Sequence, residues 1–144
     1  MMKLIVKYYY LKNQYPKALI LIKSGVFYEA LNDDAYIINY LFNYKIKQRS
    51  NYIMVGFPVN IIKKIEGQLL KQKISYVILN VDNQYIAHEN PRSHRHYEVL
   101  LKKSKKSYWQ QEEINKIYQR LITFKNSDNM EIIINRINEI VNEI

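Results

Sequence analysis

The sequence predicts a mixed α+β domain followed by an α-helical hairpin, and three of its features support this fold class. Short apolar runs rich in β-branched residues, such as residues 18–22 and 75–81, are typical of buried strands. Segments with apolar residues at helical spacing alternate with these runs throughout residues 1–106, which indicates a sheet flanked by helices. Residues 107–144 show only the helical spacing, as two helices joined by a short connection would.

The first four predicted elements are a helix over 3–15, a strand over 18–22, an extended segment over 26–31 and a helix over 35–44. Helical spacing of apolar residues defines the first helix, which Pro16 ends because proline cannot continue a helix. The strand is an unbroken apolar run, and Ser24-Gly25 separates it from the extended segment. Asn32 and the two aspartates that follow it are candidate N-caps for the second helix.

The next predicted elements are a strand over 52–57, a helix over 61–70, a strand over 75–81 and a last strand over 95–101. Pro58 ends the first of these strands, and Asn60 is a candidate N-cap for the helix that follows it. The basic segment 45–51 and the turn-rich segment 82–92 are predicted to be connections. The last strand is inferred from the alternation of residues 97–101.

Residues 107–144 are predicted to form an antiparallel helical hairpin. Ser107 and Gln110 have the S-x-x-Q form of a capping box, which would begin the first helix, and residues 125–127 would connect it to the second. Two short helices cannot bury a long apolar stripe by themselves, so the hairpin is predicted to form a homodimer, with packing on the first domain as the alternative. The apolar stripe of the second helix consists of Met130, Ile133, Ile134, Ile137, Ile140, Val141 and Ile144.

The net charge of +9 is unevenly distributed along the chain. Residues 1–106 contain 18 Lys and Arg against seven Asp and Glu, a net charge of +11, whereas residues 107–144 contain four against six, a net charge of −2. A basic domain favours an anionic partner such as nucleic acid. The alternative is that the lysines serve only the solubility of the protein.

Composition narrows the possible functions. The chain has no cysteine, which excludes disulfides, thiolate nucleophiles and cysteine zinc sites. Its longest apolar run, residues 18–22, is far shorter than the roughly 20 residues that span a bilayer, and the apolar segment at its start is too short for a signal peptide. A cytoplasmic protein without a membrane partner is therefore expected.

No arrangement of side chains suggests catalysis. Neither a nucleophile–histidine–carboxylate set nor paired acids at useful spacing stand out, so neither an enzyme nor a cofactor is predicted. His88, His94 and His96 cluster near Glu89, and the alternation would place two of these histidines on one face of a strand. A polar surface loop is the favoured interpretation, and no metal site is predicted.

Four short motifs follow one another along the chain, within or beside the predicted elements. Their order and spacing resemble the amino-terminal mismatch-recognition domain, domain I, of the MutS family of DNA repair proteins. The resemblance covers residues 3–81, and a strand over 95–101 would complete the same domain, here as a stand-alone protein. It implies a mixed sheet flanked by helices. The motifs are Gln14-Tyr15-Pro16, Gly25-Val26-Phe27-Tyr28-Glu29, Asp34-Ala35 and Gly56-Phe57-Pro58.

The resemblance implies a role for two residues. In the MutS family the Phe of this motif enters the minor groove and stacks on an unpaired or mispaired base, and the Glu two residues later hydrogen-bonds that base; these positions are Phe27 and Glu29. The alternative is that Phe27 is an ordinary core residue of its strand, with Tyr28 facing outwards and Glu29 solvated. Phosphate contacts would come from surrounding basic residues. The candidates are Lys23, Lys45, Lys47, Arg49, Lys102, Lys103, Lys105 and Lys106.

The departures from the family pattern bear on specificity more than on fold. Val26 precedes the Phe where the family usually has a charged residue, Asn60 replaces a common His, and a family Gly is replaced near Lys73. The Glu-Gln pair after the last matched strand is Asn80-Val81 here. No G-x-x-x-x-G-K-[ST] loop occurs in the 144 residues, so no ATPase is expected.

Three functions remain open at this point. The first is non-catalytic binding of mismatched or distorted duplex DNA. The second is binding of RNA or an RNA–DNA hybrid beside a reverse transcriptase, a setting in which free-standing relatives of this domain also occur. The third is a protein-interaction adaptor that keeps the fold and has lost the ligand.

Overall fold

The computed structural model describes residues 2–144, which divide into two compact units, one ending at Tyr108 and the other beginning at Trp109. The strands are β1 (Ala18–Ser24), β2 (Phe27–Leu31), β3 (Lys47–Gln48), β4 (Ile53–Pro58), β5 (Ser75–Leu79) and β6 (Tyr85–His88). The helices are α1 (Leu4–Gln14), α2 (Asp33–Phe42), α3 (Ile62–Lys71), α4 (Ser93–Thr123) and α5 (Met130–Asn142). A 3₁₀ turn, Val59–Ile61, precedes α3.

The six strands form one mixed sheet in the order β3-β4-β2-β1-β5-β6. Every neighbouring pair is antiparallel except β1 and β5, which run parallel from Ala18 opposite Ser75 to Ile22 opposite Leu79. The predicted α+β class, with a mixed sheet flanked by helices and a helical C-terminal segment, is therefore confirmed.

The two sides of the sheet bury different sets of side chains. On one side, called the α1 side, Ile20, Ile22, Leu31 and Met54 pack with Tyr8 and other residues of α1. On the opposite side, called the α4 side, the sheet packs against α2, α3 and α4. The buried residues of the α4 side include Leu19, Leu21, Tyr28, Val55, Phe57, Ile65, Tyr76, Tyr97, Leu100 and Leu101.

The strand predicted over residues 95–101 is wrong. This segment belongs to α4, which begins at Ser93 and continues without a break beyond Ser107, so the capping box predicted there is wrong as well. Alternation over five residues is a weak signal, because the same segment also fits a helix. The buried residues follow helical spacing, and they are Ser93, Tyr97, Leu100, Leu101 and Ser104.

Smaller differences concern boundaries. A short strand, β6, lies in the segment predicted to be turns, and β3 interrupts the predicted basic connection. Asn60 lies inside the 3₁₀ turn and is not an N-cap, and α2 ends at Phe42, two residues earlier than predicted. Lys73 has φ +57°, a left-handed conformation that favours glycine, the residue that the resemblance implies near this position.

Asp34 is fully buried where α2 begins. Its Oδ2 atom accepts a hydrogen bond of 2.9 Å from the backbone N–H of Ile20, and its Oδ1 atom lies 2.8 Å from Nζ of Lys12. Asn32, the residue before α2, makes no capping hydrogen bond with its side chain. The carboxylate of Asp34 therefore joins α1, β1 and α2 instead of capping a helix.

The unit that begins at Trp109 contains the C-terminal part of α4 and all of α5, connected by residues 124–129. The predicted connection of three residues is thus six residues long. No side chain of residues 109–144 is buried. Among residues 2–144, none of the helices combines the length and apolar character that a bilayer crossing requires.

Candidate nucleic-acid interface

The two candidate recognition residues share one side of β2. Because side chains alternate along a strand, Phe27 and Glu29 face the α1 side, whereas Tyr28 and Ala30 face the buried α4 side. Phe27 is 46% exposed and Tyr28 only 7% exposed. The alternative in which Phe27 is buried and Tyr28 faces outwards is therefore wrong.

Phe27 begins β2 directly after the two-residue turn Gly25-Val26. Gly25 has φ +60°, the left-handed region in which a side chain is strained, so glycine suits this position for its backbone freedom. The backbone N–H of Val59 donates a 3.0 Å hydrogen bond to the carbonyl of Val26 and ties the turn to the end of β4. The ring of Phe27 thus projects from a backbone that is held in place on both sides.

The strand neighbours of Phe27 are small or rigid. Phe27 lies opposite Ser24 on β1 and opposite Pro58 on β4. Glu29 lies opposite Ile22 and Gly56 in the same register. Since Gly56 has no side chain, the surface beside Glu29 stays open at that position. The sequence alone gives no sign that Ser24, Gly56 and Pro58 belong to the site, because only the strand register brings them beside Phe27 and Glu29.

Glu29 carries a half-buried carboxylate that accepts no hydrogen bond from the described residues, 2–144. Burial raises the pKa of Glu29 above its usual value, and the positive charges of Arg49 and Lys47 partly oppose that rise. Each oxygen of this carboxylate is therefore available to a donor from outside the chain.

Arg49 and Lys47 lie on or next to the edge strand β3. Lys47 is opposite Met54, whose side chain packs on the α1 side, so Lys47 belongs to the same side of the sheet as Glu29. Nε of Arg49 donates a hydrogen bond of 3.1 Å to Sδ of Met54. The structure thus brings together an exposed ring, two cations and a carboxylate that has no hydrogen-bond donor among residues 2–144.

The other predicted basic residues lie elsewhere. Lys23 is opposite Tyr28, which puts it on the α4 side of the sheet, and Lys45 is exposed in the segment before β3. Lys105 lies 2.9 Å from Oδ1 of Asp33 and 5.9 Å from the centroid of the Tyr36 ring. With Lys102, Lys103 and Lys106 it belongs to α4, on the side of the sheet opposite Phe27.

His94 and His96 do not share a strand face, as their alternation suggested, because both belong to α4. His88 stacks on the ring of Tyr76, with 4.5 Å between centroids. His94 and His96 are two residues apart on the helix α4, so they point to different sides of it. In residues 2–144 no three His, Asp or Glu side chains are grouped as metal ligands.

Comparison with known proteins supports the resemblance found in the sequence. Residues 2–124 match the family described as MutS domain I. A DNA mismatch repair protein MutS from Salinibacter ruber (strain DSM 13855 / M31) is 30% identical over 80 residues, which cover 52% of this chain and 9% of the relative. The chain thus corresponds to a small part of that relative. MutS domain I is a non-catalytic DNA-binding domain that recognises mismatches. Because the family match extends over most of the sequence, the chain belongs to the MutS domain I family.

Proposed function

We propose that this chain binds duplex DNA without catalysing a reaction and probes mispaired or distorted sites with Phe27 and Glu29. The observation that carries the proposal is the exposed Phe27 ring at the end of a hairpin, two residues from a carboxylate without a hydrogen-bond partner among residues 2–144. Family membership supports the DNA ligand. The role of the two side chains is our inference.

An exposed aromatic ring can act as a wedge between base steps. Inserting a ring unstacks the bases at a cost of a few kcal/mol, and a mispaired step is already poorly stacked, so it opens at a lower cost. Discrimination then depends on how easily the duplex deforms. The half-exposed Phe27, held between Ser24 and Pro58, suits this role because the ring need not leave a core to enter the groove.

Glu29 would read the base that Phe27 displaces. A carboxylate near DNA repels the phosphates, so it contributes only where it meets a donor on a base edge. The raised pKa of Glu29 also favours its protonated form, which is able to donate a hydrogen bond to a base acceptor. Lys47 and Arg49 would supply the phosphate contacts on the same side of the sheet.

The experiment compares two duplexes that differ only in one mispaired or unpaired base. Fluorescence anisotropy measures Kd for wild type, Phe27→Ala and Tyr40→Ala. Tyr40 is a matched control, because it is 42% exposed and lies on α2. We expect Phe27→Ala to lose about 1–3 kcal/mol of preference for the mispaired duplex, the usual contribution of one stacked base, and Tyr40→Ala to keep the preference. An unchanged preference in Phe27→Ala would show that the ring is not the wedge.

The same assay separates the remaining functions. RNA and RNA–DNA hybrids of the same length serve as competitors, and either one displacing mispaired DNA at equal concentration would identify the ligand as RNA-containing. Absence of binding to all of these at low salt would exclude the two nucleic-acid functions and leave the protein-interaction adaptor as the remaining one.

We also propose that residues 109–144 form a homodimer. In this unit most of the apolar side chains of both helices are exposed, and its net charge of −2 makes it a poor partner for DNA. A second copy offers the same apolar surface, and two pairs of helices bury such surfaces as a four-helix bundle does. The exposed apolar residues are Trp109, Ile114, Ile117, Tyr118, Ile122, Phe124, Ile132, Ile134, Ile137, Ile140, Val141 and Ile144.

A further inference from the structure

The outer surface of α4 carries a row of cations, here called the α4 ridge: Arg95, Lys102, Lys103 and Lys106. Helical spacing puts Arg95, Lys102 and Lys106 opposite the buried stripe of Tyr97, Leu100 and Leu101. Lys103 lies on the flank of α4, next to Leu100. Each of the four is exposed, and none forms an ion pair within residues 2–144. The one acidic residue between Ser93 and Lys106, Glu98, is already paired with Lys17.

A cleft of about 420 Å³ lies beside the ridge, between α4 and the end of α3. Its polar lining offers the guanidinium of Arg95, the ammonium of Lys103, the imidazole of His96 and the amide of Gln72, and none of its lining residues within 2–144 carries a carboxylate. Such a set of donors suits the oxygen atoms of an anion.

The ridge and Phe27 face away from each other. The α4 helix packs on the α4 side of the sheet, whereas Phe27 and Glu29 face the α1 side. The sheet and a helix of about 10 Å diameter lie between the two surfaces. A straight duplex in contact with Phe27 therefore does not reach the ridge.

We propose that the α4 ridge and its cleft bind the phosphate backbone of a second nucleic-acid segment, so that each chain holds two segments at once. This inference rests on the proposed DNA-binding function. Arg95 and Lys106 are eleven residues apart, which gives the ridge a length of about 17 Å. That length corresponds to about five phosphates of one strand in a duplex.

The chemistry of the ridge favours nucleic acid over two other anionic partners. A helix that binds a membrane needs an exposed apolar face. Among residues 93–106 of α4, the apolar side chains of Tyr97, Leu100 and Leu101 are buried in the core, and Val99 is the only large apolar side chain exposed. A protein interface has an apolar or aromatic centre, which this row of cations does not offer.

The test counts duplexes per chain. Full-length protein is mixed with an excess of a short, perfectly paired duplex at low salt, and sedimentation velocity with a labelled duplex gives the bound ratio. The ridge variant is Arg95→Gln/Lys102→Gln/Lys106→Gln. The matched control is Arg136→Gln/Lys116→Gln/Lys125→Gln, which removes the same charge from exposed positions of the second unit. Counting per chain keeps the result independent of dimerisation.

We expect two duplexes per chain for wild type and control, and one for the ridge variant. The ridge variant should also show a log–log salt slope smaller than that of the control by about three units. Wild type that saturates at one duplex per chain, or a ridge variant that matches the control, overturns the inference.

The mismatch assay distinguishes failure of this inference from failure of the proposed function. If the ridge variant keeps its preference for mispaired DNA while wild type binds one duplex, only the inference of a second bound segment is wrong. If the ridge variant loses all binding and wild type shows no mismatch preference, the ridge is the sole nucleic-acid surface, and the Phe27 proposal fails together with the two-segment inference.

Discussion

The phenol oxygen of Tyr97 donates a 2.5 Å hydrogen bond to Oδ1 of Asp34, and this contact connects α4 to the start of α2. Nζ of Lys12 lies 2.9 Å from the same phenol oxygen, so three polar groups from three helices meet in the interior. Burial and the nearby charge of Asp34 raise the pKa of Tyr97, which keeps the phenol protonated and able to donate. A buried carboxylate is tolerated here because its oxygens have donors.

Replacing Tyr97 with phenylalanine should therefore destabilise the fold. Tyr97→Phe removes one hydrogen-bond donor from Oδ1 of Asp34, and we expect a loss of about 1–3 kcal/mol in the free energy of unfolding, measured by urea denaturation. Tyr118→Phe is the control, because Tyr118 is exposed, and it should leave the stability unchanged. Equal midpoints for the two variants would mean that the Tyr97 contact contributes nothing.

Phe27 should matter little for stability. Because its ring is half exposed, Phe27→Ala should change the free energy of unfolding by less than about 1 kcal/mol. Phe57→Ala, in the neighbouring strand, removes a fully buried ring and should cost about 3–5 kcal/mol. If chemical denaturation gives both variants the same loss, Phe27 is a packing residue, and the proposed wedge loses its basis.

Glu29 should make stability depend on pH. Since burial raises the pKa of Glu29 in the folded protein, the protonated form stabilises the fold at acid pH, and this contribution is lost as the pH rises through the raised value. Glu29→Gln, which stays neutral, should therefore have a higher melting temperature than wild type at pH 7. The gain should disappear when the pH falls below the ordinary carboxyl value of about 4.3. A lower melting temperature for Glu29→Gln at pH 7 would show that attraction to Arg49 and Lys47 stabilises the charged carboxylate more than burial destabilises it.

The cations beside Glu29 should determine the salt dependence of DNA binding. Lys47→Gln/Arg49→Gln should weaken binding to all duplexes alike and reduce the log–log salt slope by about two units, because two phosphate contacts are lost. The control Lys116→Gln/Arg120→Gln removes the same charge from exposed positions of the second unit. Titrations at several salt concentrations measure both slopes, and identical slopes would assign Lys47 and Arg49 no phosphate contact.

The apolar surface of residues 109–144 predicts a dimer at tens of micromolar in sedimentation equilibrium. Ile137→Glu/Ile140→Glu puts charges into this surface and should give a monomer, since both residues are exposed and apolar. Asn135→Glu/Asn142→Glu adds the same charge on the polar face of α5 and should leave the dimer intact. Monomeric wild-type protein at these concentrations would refute the proposed dimer.

Local signals predicted most of the sheet. Pro58 is the last residue of β4, and Pro16 lies in the short connection between α1 and β1. The apolar runs of β1, β4 and β5 predicted these strands because central strands bury both faces. The strand predicted over residues 95–101 was wrong because the alternation behind it covers only residues 97–101. Five residues are too few to distinguish the period of a strand from that of a helix. The short strands β3 and β6 lie in polar segments, where pairing with a neighbouring strand decides the conformation and local propensity does not.

The candidate site was only partly predictable. Phe27 and Glu29 came from a motif, and strand alternation then put both on one side of the sheet. The basic residues could not be assigned to one side of the sheet or the other in the same way, because the sequence does not say which side a distant helix covers. In the structure, Tyr97 of α4 packs with Tyr28 on the α4 side of the sheet. The lysines of α4 therefore lie on the side of the sheet opposite Phe27.

The parallel pairing of β1 with β5 has a consequence for the order of folding. The hairpin of β1 and β2 is local and can form within about 1–10 μs, but an isolated hairpin is marginally stable in water. The other neighbour of β1 in the sheet is β5, which begins at Ser75, far along the chain from Ala18. Contacts between residues so distant in sequence form slowly. During synthesis, we therefore expect the sheet around the turn that presents Phe27 to be completed only after residues beyond Leu79 have left the ribosome.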